Sequence, residues 1–172
     1  DVYKRQINFK HSDIFDYTDT KKYDLVVSLG VLHHTVDCRK AFKKVSSFVD
    51  KGGFLYVGLY HLYGRKPMLN FLQNHAHWYG EKASYNLFKR MNKDMTNQEH
   101  SYSWFRDQVL HPHETQHTLE ELFKWIEEEG LTLQSTSINK YKSLNNFNKP
   151  ELINIEKSLE SYSYQKNVRE LK

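Results

Sequence analysis

The strongest constraint in the sequence is the order strand, helix, strand between Tyr23 and Tyr60. Tyr23 to Gly30 is a near-continuous apolar run, the pattern of a strand buried on both faces. Asp37 is placed to cap a helix reaching about Val49, with Ala41, Phe42, Val45, Phe48 and Val49 on one face. Lys51-Gly52-Gly53 stops that helix, and Phe54 to Tyr60 is a second apolar strand. A helix of this length between two such strands is a parallel, right-handed crossover, so the fold class is α/β.

The flanks extend this pattern. Ile7 to His11 alternates apolar and polar and predicts a short strand, ending in the turn Ser12-Asp13-Ile14-Phe15. Thr118-Leu119-Glu120-Glu121 fits a capping box that opens a helix, which Gly130 ends. Leu131 to Ile138 predicts a further strand, Asn139 to Lys149 a polar loop, and Glu151 to about Tyr162 a helix. Between the two core portions, residues 61–117 differ in character. They hold seven of the ten histidines and two of the three tryptophans. Pro67 to about His77 and Ala83 to about Met91 predict short amphipathic helices, and Asn92 to His100 a loop.

Composition excludes several classes. One cysteine, Cys38, rules out a disulfide scaffold and a multi-cysteine zinc site, and favours the cytoplasm. The apolar run Phe54 to Tyr60 is too short to span a bilayer. The net charge of +4 comes without any block of five like charges, so an anionic partner is permitted but not demanded.

Three segments in order carry a resemblance: Ser12-Asp13-Ile14 after a strand, Asp24-Leu25-Val26-Val27-Ser28-Leu29-Gly30-Val31-Leu32-His33-His34-Thr35, and Lys51-Gly52-Gly53-Phe54-Leu55-Tyr56-Val57-Gly58. This order resembles the second half of class I S-adenosylmethionine-dependent methyltransferases, although the Pro usual before the paired glycines is replaced. The segments Gly58-Leu59-Tyr60, Tyr63-Gly64-Arg65, Trp104-Phe105-Arg106-Asp107-Gln108, His111-Pro112-His113-Glu114 and His117-Thr118 resemble one uncharacterised bacterial branch.

The resemblance implies a partial Rossmann-like sheet, the family's strands 3, 4, 5 and 6, with helices on both faces and a helical insert. It divides the chain into core strands over 7–60, a lid over 61–117, a core helix and strand over 118–139 and a truncated tail over 140–172. Residues 1–6, DVYKRQ, look like a reading frame of a sequencing adapter and are set aside. The family's Gly-rich loop and its ribose-holding acidic residue have no counterpart in these residues. The expectation is therefore a C-terminal fragment with an exposed strand edge, marginally folded and inactive by itself.

The implied activity is methyl transfer from S-adenosylmethionine to a small molecule or a cell-envelope precursor. Asp13, Ile14, Leu29, Gly30 and Val31 are the expected cofactor contacts, at the carboxyl ends of parallel strands where α/β sheets bind ligands. His34 is the candidate proton acceptor. His33, Tyr60, His61, Tyr63, His113 and His117 are candidate substrate contacts. Two other classes compete. His113-Glu114-Thr115-Gln116-His117 matches H-E-x-x-H, the signature of zinc hydrolases, but the helix start at Thr118 leaves His117 outside it, so no metal is expected. A non-catalytic RNA-binding module would use the basic pairs Lys43-Lys44, Arg65-Lys66 and Lys89-Arg90; these are scattered rather than striped, so nucleic acid is not the expected partner. The oligomeric state is open.

Overall fold

The computed structural model describes residues 7–92, 98–141 and 148–170. Strand β1, Tyr23–Leu29, pairs in parallel with β2, Val49–Gly58, and helix α1, Cys38–Ser46, connects them. The crossover expected from the sequence is therefore present. Asp37 caps α1, its carboxylate accepting from the Lys40 N–H at 2.9 Å. Cys38, Ala41, Phe42 and Val45 form the buried face of α1. Val26, Leu55 and Val57 of the sheet pack against them.

The helix ends earlier than expected, and β2 begins at Val49. A bulge takes up the difference: Tyr23 faces Val49, but Leu25 faces Phe54. Gly52 sits in this bulge at φ +82°, a conformation that favours glycine. A Cβ on Gly53 would lie 2.9 Å from the Asp24 carbonyl, so the close approach there needs a glycine. The Gly pair thus belongs inside the strand rather than before it.

Two expected strands do not form. Ile7 to His11 and Leu131 to Ile138 run without a ladder, and the sheet of the described residues has two strands. An alternating pattern becomes a strand only where a neighbour accepts its hydrogen bonds. Neither segment has one, and Phe9 is 84% exposed. Ser137–Asn139 closes the latter stretch as a short 3-10 turn.

Among the described residues five further helices follow the sheet: α2, Leu62–Tyr79; α3, Glu81–Met91; α4, Gln98–Val109; α5, Leu119–Glu128; and α6, Lys149–Glu170. Of the loop expected over Asn92 to His100, residues 93–97 lie outside the described residues and Gln98 already opens α4; α6 runs beyond its expected end. Helices α2, α3 and α4 close on a core of Leu72, Tyr85, Phe88, Phe105 and Val109. The capping box of α5 is complete, with Thr118 and Glu121 bonding each other's backbone N–H. Helix α5 is apolar on two sides. Trp125 and Ile126 reach the α1 core, while Leu119 and Phe123 pack with Leu152 of α6.

Helices α1 and α5 cover one face of the sheet. The sequence reading put helices on both; among the described residues the other face stays open, with Leu25, Val27, Leu29, Phe54 and Tyr56 each about half exposed. No helix among the described residues is long and apolar enough to cross a membrane.

One buried carboxylate ties the helices together. Glu156 of α6 is 1% exposed. Its Oε1 accepts from His61 Nε2 at 2.8 Å and from the Leu119 N–H at 2.6 Å. Replacing Glu156 with Ala leaves both donors unpaired and is expected to cost about 2–4 kcal/mol. Glu156→Gln keeps an acceptor oxygen and should cost about half of that. Urea unfolding of the two variants measures the difference, and equal losses would remove this role from the carboxylate.

Candidate functional site

The site gathers where both strands end. Gly30 follows β1 at φ +71°, and nothing lies within 4 Å of where its Cβ would be. Leu29 and Val31 flank it, each 50% exposed. This is open backbone at the carboxyl end of a parallel pair, the position where such sheets bind ligands. A 3-10 turn over Leu32–His34 then brings two histidines beside Tyr60.

His33 is fully buried, and its ring stacks on Tyr60 with centroids 3.9 Å apart. Neither of its ring nitrogens has a hydrogen-bond partner. Burial, with the neighbouring His34 adding to it, pushes its pKa down to about 4. His33 is therefore a neutral imidazole at pH 7. His34 is half-buried, with its ring 4.3 Å from that of His33 and 4.0 Å from His111. Its Nδ1 lies 2.9 Å from the His113 carbonyl, which can only accept. The proton is thus assigned to Nδ1, leaving the Nε2 lone pair free in the neutral ring.

The segment after α4 is laced across these residues. Thr115 donates from its N–H and its hydroxyl to the His33 carbonyl, at 2.9 and 3.2 Å. His113 Nε2 donates to the Thr35 carbonyl at 2.8 Å. The His117 N–H donates to the Tyr60 carbonyl, and Leu62 donates to the His117 carbonyl, forming a parallel bridge between His61 and His117. Residues 113–117 are extended, not helical, so the one-faced His pair that H-E-x-x-H chemistry needs is not formed. His113 is exposed and bonded to a carbonyl, and His117 is buried with Nε2 2.8 Å from Thr115 Oγ1. Burial lowers the His117 pKa, outweighing the nearby Glu121. Among the described residues no cluster of three His, Cys, Asp or Glu side chains is arranged to hold a metal ion.

Two motifs that had no role in the sequence meet here. Arg65 grips Glu114 with Nε and Nη2, at 2.6 and 2.5 Å. It also donates to the Gln108 side chain at 3.1 Å and to its carbonyl at 2.8 Å. The guanidinium lies 3.7 Å from the Tyr60 ring centroid. Gln108 Nε2 donates to the Tyr60 hydroxyl at 3.0 Å. Burial raises the Glu114 pKa, but its bonds to Arg65 and Gln116 outweigh this and hold it below the ordinary carboxylate value. Sequence reading flagged Tyr63-Gly64-Arg65 and Trp104 to Gln108 as familiar; only the fold reveals that they are partners. Arg65 is thereby committed to Glu114 and is not part of a free basic patch.

The remaining expected residues are placed as follows. Asp13 Oδ1 accepts from the Phe15 N–H at 2.7 Å, forming a side-chain turn at the exposed surface. Ile14 packs against the α1 core. His61 is not available to a substrate. Its Nδ1 caps α2 by accepting from the Gly64 N–H, and its Nε2 is on Glu156. Tyr63 packs its ring against His61, with centroids 5.8 Å apart. Cys38 is buried, and burial pushes its thiol up to about 11, so it is inert.

His33 supplies a direct test. The unfolded imidazole takes up its proton near pH 6.5, and the folded one only near 4. Between these values the unfolded chain binds more protons, so stability is present above pH 6.5 and is lost as pH falls toward 4. NMR titration of the histidine Cε1–H signals should give His33 the lowest midpoint, near 4. A midpoint at or above 6.5 would show that the ring is not buried and neutral.

Comparison with known proteins follows the same lines. Residues 1–57 match the family model described as a methyltransferase domain. This supports the resemblance to class I S-adenosylmethionine-dependent methyltransferases, and the partial Rossmann-like sheet agrees with it. An uncharacterised protein of Synechococcus sp., syc1184_c, is 24% identical over 147 residues, which cover 74% of this chain and 35% of that protein. The chain thus spans about a third of the length of that relative.

Proposed function

We propose that the protein transfers the methyl group of S-adenosylmethionine to a nucleophilic atom of a small molecule in the cytoplasm. The observation that carries this reading is the pairing of open backbone at Gly30 with a dense aromatic and histidine cluster at the same strand ends. The methyltransferase-domain match over residues 1–57 includes the strand that leads to it.

Leu29, Gly30 and Val31 fit one side of a cofactor site. A positive φ and free space at Gly30 let a ligand lie against the backbone. Asp13 would hold the adenine amino group with its second carboxylate oxygen, and Ile14 would flank the ring. When bound, S-adenosylmethionine supplies a methyl group activated by a sulfonium. Transfer to a good nucleophile needs in-line positioning above all. Tyr60 forms one wall for the acceptor, held by Gln108 and backed by the ring of His33, which is fully buried and supports the wall without touching the acceptor. His34 Nε2 is the group that would take up a proton lost by the acceptor. His113 and His117 act by fixing the segment that crosses the site, rather than by touching the acceptor.

Since these residues form one side of the cofactor site, this chain alone should bind S-adenosylmethionine with a Kd above about 1 mM. The complete gene product should bind it at micromolar concentration. In that protein Asp13→Asn keeps the turn to Phe15 but removes the charge, and should weaken binding about tenfold. Calorimetry measures both. Absence of binding by the complete gene product would overturn the methyl-transfer reading.

A further inference from the structure

Between α2, α3 and α4 the insert forms a cleft of about 260 Å³, partly open to solvent, that no step above uses. Its walls include Met68, Leu72, Met91 and Trp104; Arg65 and Gln108 form a polar end, and Asn92 adds a neutral amide beside Met91. Leu72 is 3% exposed, so the cleft reaches into the core of the insert. Helix packing normally leaves few voids larger than a water molecule. A closed apolar cavity of about 150 Å³ holds benzene; this cleft is larger and open at one part, so a two-ring group can enter it. Its methionines are unbranched and adaptable, which suits a wall that closes on a ligand.

The polar end decides the charge of the ligand. Three of the Arg65 donor groups are already engaged, by Glu114 and by both oxygens of Gln108. The Gln108 amide nitrogen is on Tyr60 and Asp107. The positive charge is neutralised by a carboxylate, so a second anion gains little there and meets Glu114. The same two residues hold Tyr60, the wall of the proposed acceptor site. We infer that this cleft binds an uncharged aromatic group of up to two rings belonging to the methyl acceptor, whose nucleophilic end lies toward Tyr60. The assignment to the acceptor rests on the methyl-transfer reading; the cleft's preference for a neutral apolar ligand does not.

The test is calorimetric titration of the 172-residue chain with 2-naphthol and with 2-naphthoate, without cofactor. Saturable one-to-one binding of 2-naphthol with a Kd of about 0.1 mM is expected, and at least about tenfold weaker binding of 2-naphthoate. Met68→Trp and Met91→Trp fill the cleft from different walls, and each should weaken 2-naphthol by about tenfold or more. Tyr56→Asp, on the open sheet face, should leave binding unchanged. Circular dichroism verifies the fold of each variant, and if Met68→Trp does not fold, Met91→Trp decides. The proposal is overturned if 2-naphthol does not saturate or 2-naphthoate binds as tightly. It is equally overturned if a folded filling variant leaves binding intact, or if Tyr56→Asp abolishes it. Binding of 2-naphthol here with no S-adenosylmethionine binding by the complete gene product would retain the cleft and remove the acceptor assignment.

Discussion

The arrangement depends on a carboxylate that water does not reach. A buried anion is tolerated only where donors converge on it, and Glu156 finds two at the starts of two helices. His61 precedes the first turn of α2, and Leu119 begins α5. Helix starts carry partial positive charge, so both ends favour the carboxylate. Because His61 Nδ1 accepts from Gly64, its proton must sit on Nε2 and point at Glu156. The insert therefore leaves and re-enters the core at one place, fastened by α6 and by the bridge between His61 and His117.

That fastening explains the state of the neighbouring residues. With residues 113–117 held across the strand ends, His33 is sealed without a partner for either ring nitrogen, and its charged form is disfavoured. The same crossing segment brings Glu114 to Arg65, which lies against Tyr60. Charge in this part of the molecule is thus concentrated in one matched pair, while the histidine beside it stays neutral. Such a surrounding favours a neutral acceptor over an ionic one.

Much of the core was legible because its signals are local. Asp37 and Thr118 announce helix starts by side chains that bond amides three residues away, and the apolar runs of β1 and β2 announce the paired strands, although only one face of the pair is covered where the runs imply burial on both. What was not legible depends on partners far along the chain. Leu131 to Ile138 has the composition of a strand but no neighbour to pair with. Helix α4 hides in a polar sequence, since Phe105 and Val109 alone are its deeply buried apolar residues. His113 to His117 spells a helical motif, yet bonds to the distant residues His33, Thr35 and Tyr60 hold it out of a helix. Arg65 and Glu114 are remote in sequence, and nothing in either segment names the other. His61 looked like a ligand contact by position, and its two ring nitrogens were claimed by Gly64 and Glu156.

The bulge in β2 also sets the parity of the sheet. From Tyr23 to Leu25 the first strand advances two residues, while Val49 to Phe54 advances the second by five. The surplus is odd, so it exchanges which of the later side chains face α1. Leu55 and Val57 lie under the helix, and Phe54 and Tyr56 lie opposite, only because that surplus is odd. A one-residue slip in the pairing of Phe54 with Leu25 would turn the second strand over and carry Leu55 and Val57 to the open face.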